Sequence, residues 1–137
     1  MQIDPYLSFD GRCAEAFDFY ASVFGGEVTM RSTWAEAPAD MGVGPEQAEQ
    51  VMHSCLKIGD RAIFGADAPG NWYSKPRGFS VALTYPTAAE ARAIFEALSE
   101  GGQVMMAFAP TFWAAGFGMF IDRFGTPWMV GTDEPPS

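Results

Sequence analysis

Thr111–Val130, TFWAAGFGMFIDRFGTPWMV, reads as a loop, a strand, a tight turn and a returning strand. Phe112 and Trp113 open it, and Gly116–Ile121 is a short apolar run. Asp122-Arg123-Phe124-Gly125 supplies the turn, because an Asp side chain can bond its own backbone two residues on and Gly can take positive φ. Gly116 and Gly118, set inside an apolar strand, predict that another group packs close to the backbone there. A hairpin this aromatic needs a cover, and the rest of the chain must supply it.

Working outward, Gln103–Phe108 is a strand that reaches the hairpin through Ala109-Pro110. Before it lies a helix near 88–100 with the core stripe Ala91, Ile94, Phe95 and Leu98. Thr87 and Glu90 form its capping box, and Gly101-Gly102 ends it. Phe79–Tyr85 is the strand that precedes this helix. At the other end of the chain, Ile3–Phe9 is a strand with Pro5 near its start. Asp10 is a candidate N-cap for a helix near 11–24, whose stripe is Cys13, Phe17, Tyr20 and Phe24, with Gly25-Gly26 as its stop. Glu27–Trp34 is a further strand, with Val28 and Met30 on one face. Val51–Ile58 and Arg61–Ala66 make a hairpin about Gly59-Asp60. Ala35–Gln50 is the longest irregular stretch, a loop or a short helix from Pro45, and Glu36, Asp40, Glu46 and Glu49 read as its solvated acids.

The two halves repeat. Ala14-Glu15-Ala16 returns as Ala89-Glu90-Ala91, and Gly25-Gly26-Glu27-Val28 as Gly101-Gly102-Gln103-Val104. In the hairpins, Ile58, Gly59, Ile63, Phe64, Gly65 and Asp67 match Phe124, Gly125, Met129, Val130, Gly131 and Asp133. Each half is strand, helix, strand, strand, strand. One such unit cannot cover both its helix and its open sheet face, so two units are expected to close a curved eight-stranded cup with the helices outside. The fold class is therefore α+β, built of paired β-α-β-β-β modules: residues 1–68, a linker 69–77 and residues 78–137.

Composition sets the bounds. A chain of 137 residues is one compact domain or two joined halves, and at this size it buries roughly two thirds of its unfolded surface. It is 48% hydrophobic and 15% aromatic, which excludes disorder. The net charge of −9 argues against nucleic acid and anionic membranes as partners and points to a cytoplasmic protein. Cys13 and Cys55 lack metal-ligand spacing and read as reduced thiols. No apolar run is long enough to span a membrane, and the first residues lack a signal pattern.

With these residues in place, the chain resembles the vicinal oxygen chelate superfamily of glyoxalase I, extradiol dioxygenases and the bleomycin- and fosfomycin-resistance proteins. More narrowly it is similar to the PhnB-like branch. The resemblance is carried by Gly11–Tyr20 with Phe24-Gly25-Gly26, by Val51-Met52-His53, by Thr111-Phe112-Trp113 through Phe117-Gly118-Met119, and by Asp122-Arg123-Phe124-Gly125 with Pro127-Trp128. It implies a cup for a small ligand and often a homodimer. Members of this branch often carry a 3-demethylubiquinone methyltransferase label. Nothing in the chain resembles a glycine-rich methyl-donor turn between strand and helix.

The superfamily also implies a metal held by His, Glu or Gln on the first and last strand of each module. Mapped by the hairpin match, those positions are Pro5 or Tyr6 with Ile63, and Phe79 or Ser80 with Met129. None is a strong first-row ligand, and a chain with one histidine cannot supply two to one site. The expectation is no bound metal and no cofactor, with an atypical divalent ion left open.

His53 sits by alternation on one face with Val51 and Cys55. It is a candidate general base or polar-ligand contact, or else a histidine bonded in place or turned to solvent. Cys55 is a candidate thiol partner or an inert buried residue. Phe112, Trp113 and Phe117 are candidate ligand-stacking aromatics, with core packing the competing role. Trp128 reads as core, Trp72 and Tyr73 as a dimer seam, and Asp122 and Arg123 as turn-shaping residues. The Ala35–Gln50 and Trp113 loops are the candidate lids. The leading function is binding of a small apolar or aromatic molecule in the cup. The alternatives are a lyase-, isomerase- or dioxygenase-like enzyme using His53 or an atypical metal, and a ligand-free dimeric structural protein.

Overall fold

The computed structural model describes residues 1–38 and 44–137. Asp40 and the middle of the Ala35–Gln50 stretch lie outside the described residues. The chain divides into two compact units, Met1–Lys75 and Pro76–Ser137. The first carries β1 (Tyr6–Phe9), α1 (Cys13–Phe24), β2 (Glu27–Thr33), β3 (Val51–Ile58) and β4 (Arg61–Asp67). The second carries β5 (Val81–Tyr85), α2 (Ala88–Ser99), β6 (Gln103–Ala109), β7 (Phe117–Ile121) and β8 (Pro127–Thr132). Each is a mixed four-stranded sheet, ordered β1-β4-β3-β2 in one unit and β5-β8-β7-β6 in the other. In both, the first strand runs parallel to the last and the hairpins are antiparallel. Pro45–Gln47 forms only a 3₁₀ turn.

The helices form where the stripes placed them. Cys13, Ala16, Phe17 and Tyr20 are buried on α1, and Ala91, Phe95 and Leu98 on α2. Burying each large side chain contributes about 1.5–3 kcal/mol. Glycines let the aromatic rings of these helices sit against the sheets. A Cβ on Gly65 would lie 2.6 Å from Phe17, and one on Gly118 would lie 2.5 Å from Phe95.

The caps differ from the sequence expectation. Asp10 does not cap α1. Arg12 holds the N-cap position without a side-chain bond, and the first N–H, of Cys13, donates to Oδ1 of buried Asp67 at 2.9 Å. Oδ2 of Asp67 accepts from the Val51 N–H, also at 2.9 Å. One carboxylate on β4 thus ties α1 and β3 to the sheet. On α2, Thr87 does cap, accepting from the Glu90 N–H at 3.2 Å. The Glu90 carboxylate accepts from the Thr87 hydroxyl, not from its backbone.

Bulges overturn two readings of strand faces. Val28 pairs with Leu56 and Met30 with Cys55, so Thr29 is an extra residue. Val28 and Met30 therefore share no face. The same slip recurs between Val104 and Met106. Another, between Ser32↔His53 and Thr33↔Val51, parts Val51 from His53. Val51 is buried beside Asp67, whereas His53 and Cys55 stay half-buried on the opposite side of β3.

The turn residues act as read. Oδ1 of Asp122 accepts from the N–H groups of Phe124 and Thr126, at 2.8 and 3.0 Å. Its Oδ2 accepts from Nε1 of the fully buried Trp128 at 2.8 Å.

Candidate functional site

In each unit one sheet face is covered by its own helix and the other is turned away from it. In the first unit Leu7, Phe9, Leu56 and Ile63 are buried on the helix side. Register then puts Tyr6, Met30, Cys55 and Phe64 on the other face, because Tyr6 and Cys55 both oppose Phe64, and Met30 opposes Cys55. His53 shares it. Its ring stacks on Phe64 with centroids 5.6 Å apart and planes 14° apart, and on Tyr6 at 5.6 Å and 26°. Nδ1 of His53 lies 3.0 Å from the Tyr6 hydroxyl. Burial, and then the nearby Cys13, raise the Tyr6 phenol above its ordinary value of 10.0, so it keeps its proton at neutral pH. The structure thus joins His53 to two aromatic rings and a phenol, a set able to stack on a flat molecule and hold a polar group. Cys55 lies on the same face, between Met30 and Phe64.

In the second unit Gly118, Phe120, Trp128 and Val130 face α2, since a Cβ at Gly118 would meet Phe95 and the other three are buried. The opposite face carries a row of methionines across three strands: Met106 opposes Met119, which opposes Met129. Met119, Ile121, Pro127 and Met129 line a cavity of about 400 Å³ whose other wall is the segment holding Arg77 and Phe79. Phe117 lies on this face one alternation from Met119. Trp113 stands edge-on to Phe117 at 5.3 Å, and Phe112 edge-on to Trp113 at 4.9 Å. Phe112 is 90% exposed and Trp113 52%, so both rings are open to solvent within this unit. Their loop is pinned by a Thr111–Ala114 bond and by the Ala115 N–H on the Glu134 carbonyl.

The five candidates thus fall into two clusters, His53 with Cys55 in the first unit and Phe112, Trp113 and Phe117 in the second. Three contributors were missed: Tyr6, Phe64 and the methionine row. The Met119–Met129 pair follows from alternation in the quoted hairpin, whereas the bulge at Met105 hid Met106. Trp128 is core, as read. Trp72 is 70% exposed.

The parallel strand pairs correct the hairpin match by one residue. Tyr6 opposes Phe64 as Ala82 opposes Met129, and Phe9 opposes Asp67 as Tyr85 opposes Thr132. Phe64, not Ile63, is therefore the counterpart of Met129, and Ile63 is buried on the helix side. The first-strand position in the second unit is Ala82, since Phe79 and Ser80 precede β5. The positions at which the resemblance would place metal ligands become Tyr6, Phe64, Ala82 and Met129: a phenol, a phenyl, a methyl and a thioether. That donor set does not fit a borderline divalent cation. Among the described residues no cluster of three or more His, Cys, Asp or Glu side chains is placed to hold a metal.

The family described as 3-demethylubiquinone-9 3-methyltransferase matches residues 1–131. Protein YjdN of Escherichia coli (strain K12) is 31% identical over 138 residues, covering 95% of this chain and 94% of that protein. The crystal structure of protein PA1353 from Pseudomonas aeruginosa is 39% identical over 98% of both chains, with a TM-score of 0.86. A PhnB protein from Bacillus cereus is 24% identical over 96% of this chain and 99% of its own, with a TM-score of 0.78, a likeness of fold. A fosfomycin resistance protein and a glyoxalase-related enzyme share the fold at lower identity.

Proposed function

The chain belongs to the family described as 3-demethylubiquinone-9 3-methyltransferase and shares the fold of a PhnB protein and a fosfomycin resistance protein, and from that premise we propose that it binds a small apolar or aromatic molecule. The observation that carries this reading is the cavity over the second sheet, floored by thioether, aliphatic and proline groups. Ligand sites are mostly apolar with few polar groups, and methionine adapts to flat or irregular ligands. Methyl transfer is not proposed, because the β–α junctions Asp10–Arg12 and Pro86–Thr87 are not glycine-rich cofactor turns.

The experiment is a fluorescence titration with the neutral probe N-phenyl-1-naphthylamine. The expected result is saturable binding, weakened about tenfold by Met119→Asp, which places a charge on the apolar floor. Saturable binding that Met119→Asp leaves unchanged would reject the site.

The Tyr6–His53 pair supports a second reading, an enzyme in which His53 moves a proton to or from a substrate bound on the first unit's open face. A reaction lost in both His53→Ala and Tyr6→Phe, with probe binding retained, would favour it. We also propose a homodimer. Val104, Met105 and Met106 are 49%, 59% and 46% exposed on β6, whose outer edge is unpaired in the sheet. Apolar edges of this kind invite pairing with a second copy. Sedimentation showing only monomer at micromolar concentration would reject it.

A further inference from the structure

The cavity over the second sheet has one charged lining side chain, Arg77. Ion pairs join Arg12 to Glu15, Arg31 to Asp18 and Arg61 to Asp60. Arg77 enters none of them and makes no hydrogen bond with a described residue. The chain carries 17 acidic and 8 basic residues. Arg77 lines an apolar cavity, with Ser80 three residues on in the same wall. Gly78, between them, has φ of +81°, a bend that favours glycine.

We propose that this cavity takes an amphipathic organic anion. Its apolar or aromatic body lies on Met119, Ile121 and Met129, and its carboxylate- or sulfonate-type head pairs with Arg77. The inference rests on the binding reading above and adds the ligand's charge. The floor offers a ligand body nothing to hydrogen-bond, so the body must be apolar. The guanidinium repels cations and presents a planar donor fork that matches two oxygens of one anionic group. The protein's net charge of −9 repels anions at long range, so selection for one must come from a local, uncommitted cation.

Two probes with the same aromatic body separate these contributions: neutral N-phenyl-1-naphthylamine and its sulfonate, 8-anilinonaphthalene-1-sulfonate. At low ionic strength the sulfonate should bind about fivefold more tightly than the neutral probe, the scale of an exposed ion pair. Arg77→Gln should abolish that preference while leaving the neutral probe's affinity in place. The variant keeps its fold, because Arg77 is exposed and bonds no described residue. Added salt should shrink the preference in the parent protein and do nothing in the variant. Equal binding of the two probes, or a preference that survives Arg77→Gln, overturns the proposal and leaves the binding reading standing. Failure of both probes to bind overturns both.

Discussion

The Tyr6 hydroxyl and Nδ1 of His53 lie 3.0 Å apart, with their rings stacked at 26°. The two residues come from β1 and β3, and the ring of Phe64 on the strand between them supports both. Burial keeps the Tyr6 phenol protonated, so it can donate to a neutral imidazole. His53 should then hold its own proton on Nε2, pointing away from Tyr6. Nitrogen NMR at alkaline pH should show this single tautomer in the parent protein and a mixture in Tyr6→Phe. A mixture in the parent would show that the pair is not formed in solution.

Asp67 bonds two backbone donors, the Cys13 and Val51 N–H groups, from a position 1% exposed. Asp67→Ala leaves both donors buried without an acceptor and should cost about 2–4 kcal/mol in urea denaturation, at roughly 1–2 kcal/mol for each. Asp67→Asn keeps one good acceptor and should cost about half as much. Equal losses in the two variants would show that packing, not bonding, sets the effect.

The Cys13 thiol is pushed up to about 12 from 9.0, first by burial and then by the Asp67 charge, with Arg31 opposing. The folded state therefore holds a proton that the unfolded state releases from about pH 9. Stability from this group is complete below that pH and is lost as pH rises toward about 12. The urea midpoint should fall across this window in the parent protein and fall less steeply in Cys13→Ala. At pH 8, iodoacetamide should modify half-buried Cys55 in the native protein and reach Cys13 only after unfolding.

Ser54 is fully buried on the helix side of β3, and its hydroxyl has no hydrogen-bond partner among the described residues. Ser54→Ala removes that unpaired group at little loss of volume and should raise stability by about 1 kcal/mol. A loss of stability would mean that the hydroxyl is satisfied in solution.

How much of this was legible in the sequence depends on the range of the interaction. Stripes such as Phe17/Tyr20 and Ala91/Phe95 are local, and so is the Asp122 turn. The repeat gave the order of elements along each half, but not the order of strands in the sheets, which rests on pairing the first strand with the last, across more than fifty residues in the first unit. Asp10 looked like a cap by position, but the acceptor came from Asp67, more than fifty residues away, which no local rule ranks. Thr29, Met52 and Met105 carry no mark of a bulge, yet each breaks the alternation on which face assignment depends. That is why Val28 was placed with Met30 and why the methionine row went unseen. His53 and Trp113 stood out by residue type alone. Tyr6 and Arg77 acquire meaning only from what stands beside them.

The glycines of the quoted hairpin make a sharper test of that reading. A Cβ at Gly118 would lie 2.5 Å from Cε2 of Phe95, 3.0 Å from its Cδ2 and 3.1 Å from the Met106 carbonyl. Phe95 cannot simply retreat, since it packs edge-on against Phe120 at 5.1 Å and is 6% exposed. Gly118→Ala should therefore cost about 1–3 kcal/mol through overpacking, although alanine suits a strand better than glycine. Phe95→Leu removes the clashing ring edge at its own cost in lost burial. If the close approach is the cause, the double variant should cost less than the sum of the single ones, by about 0.5–3 kcal/mol of coupling. Additive costs in urea denaturation would mean that Gly118 is required by the backbone of β7 and not by the ring above it.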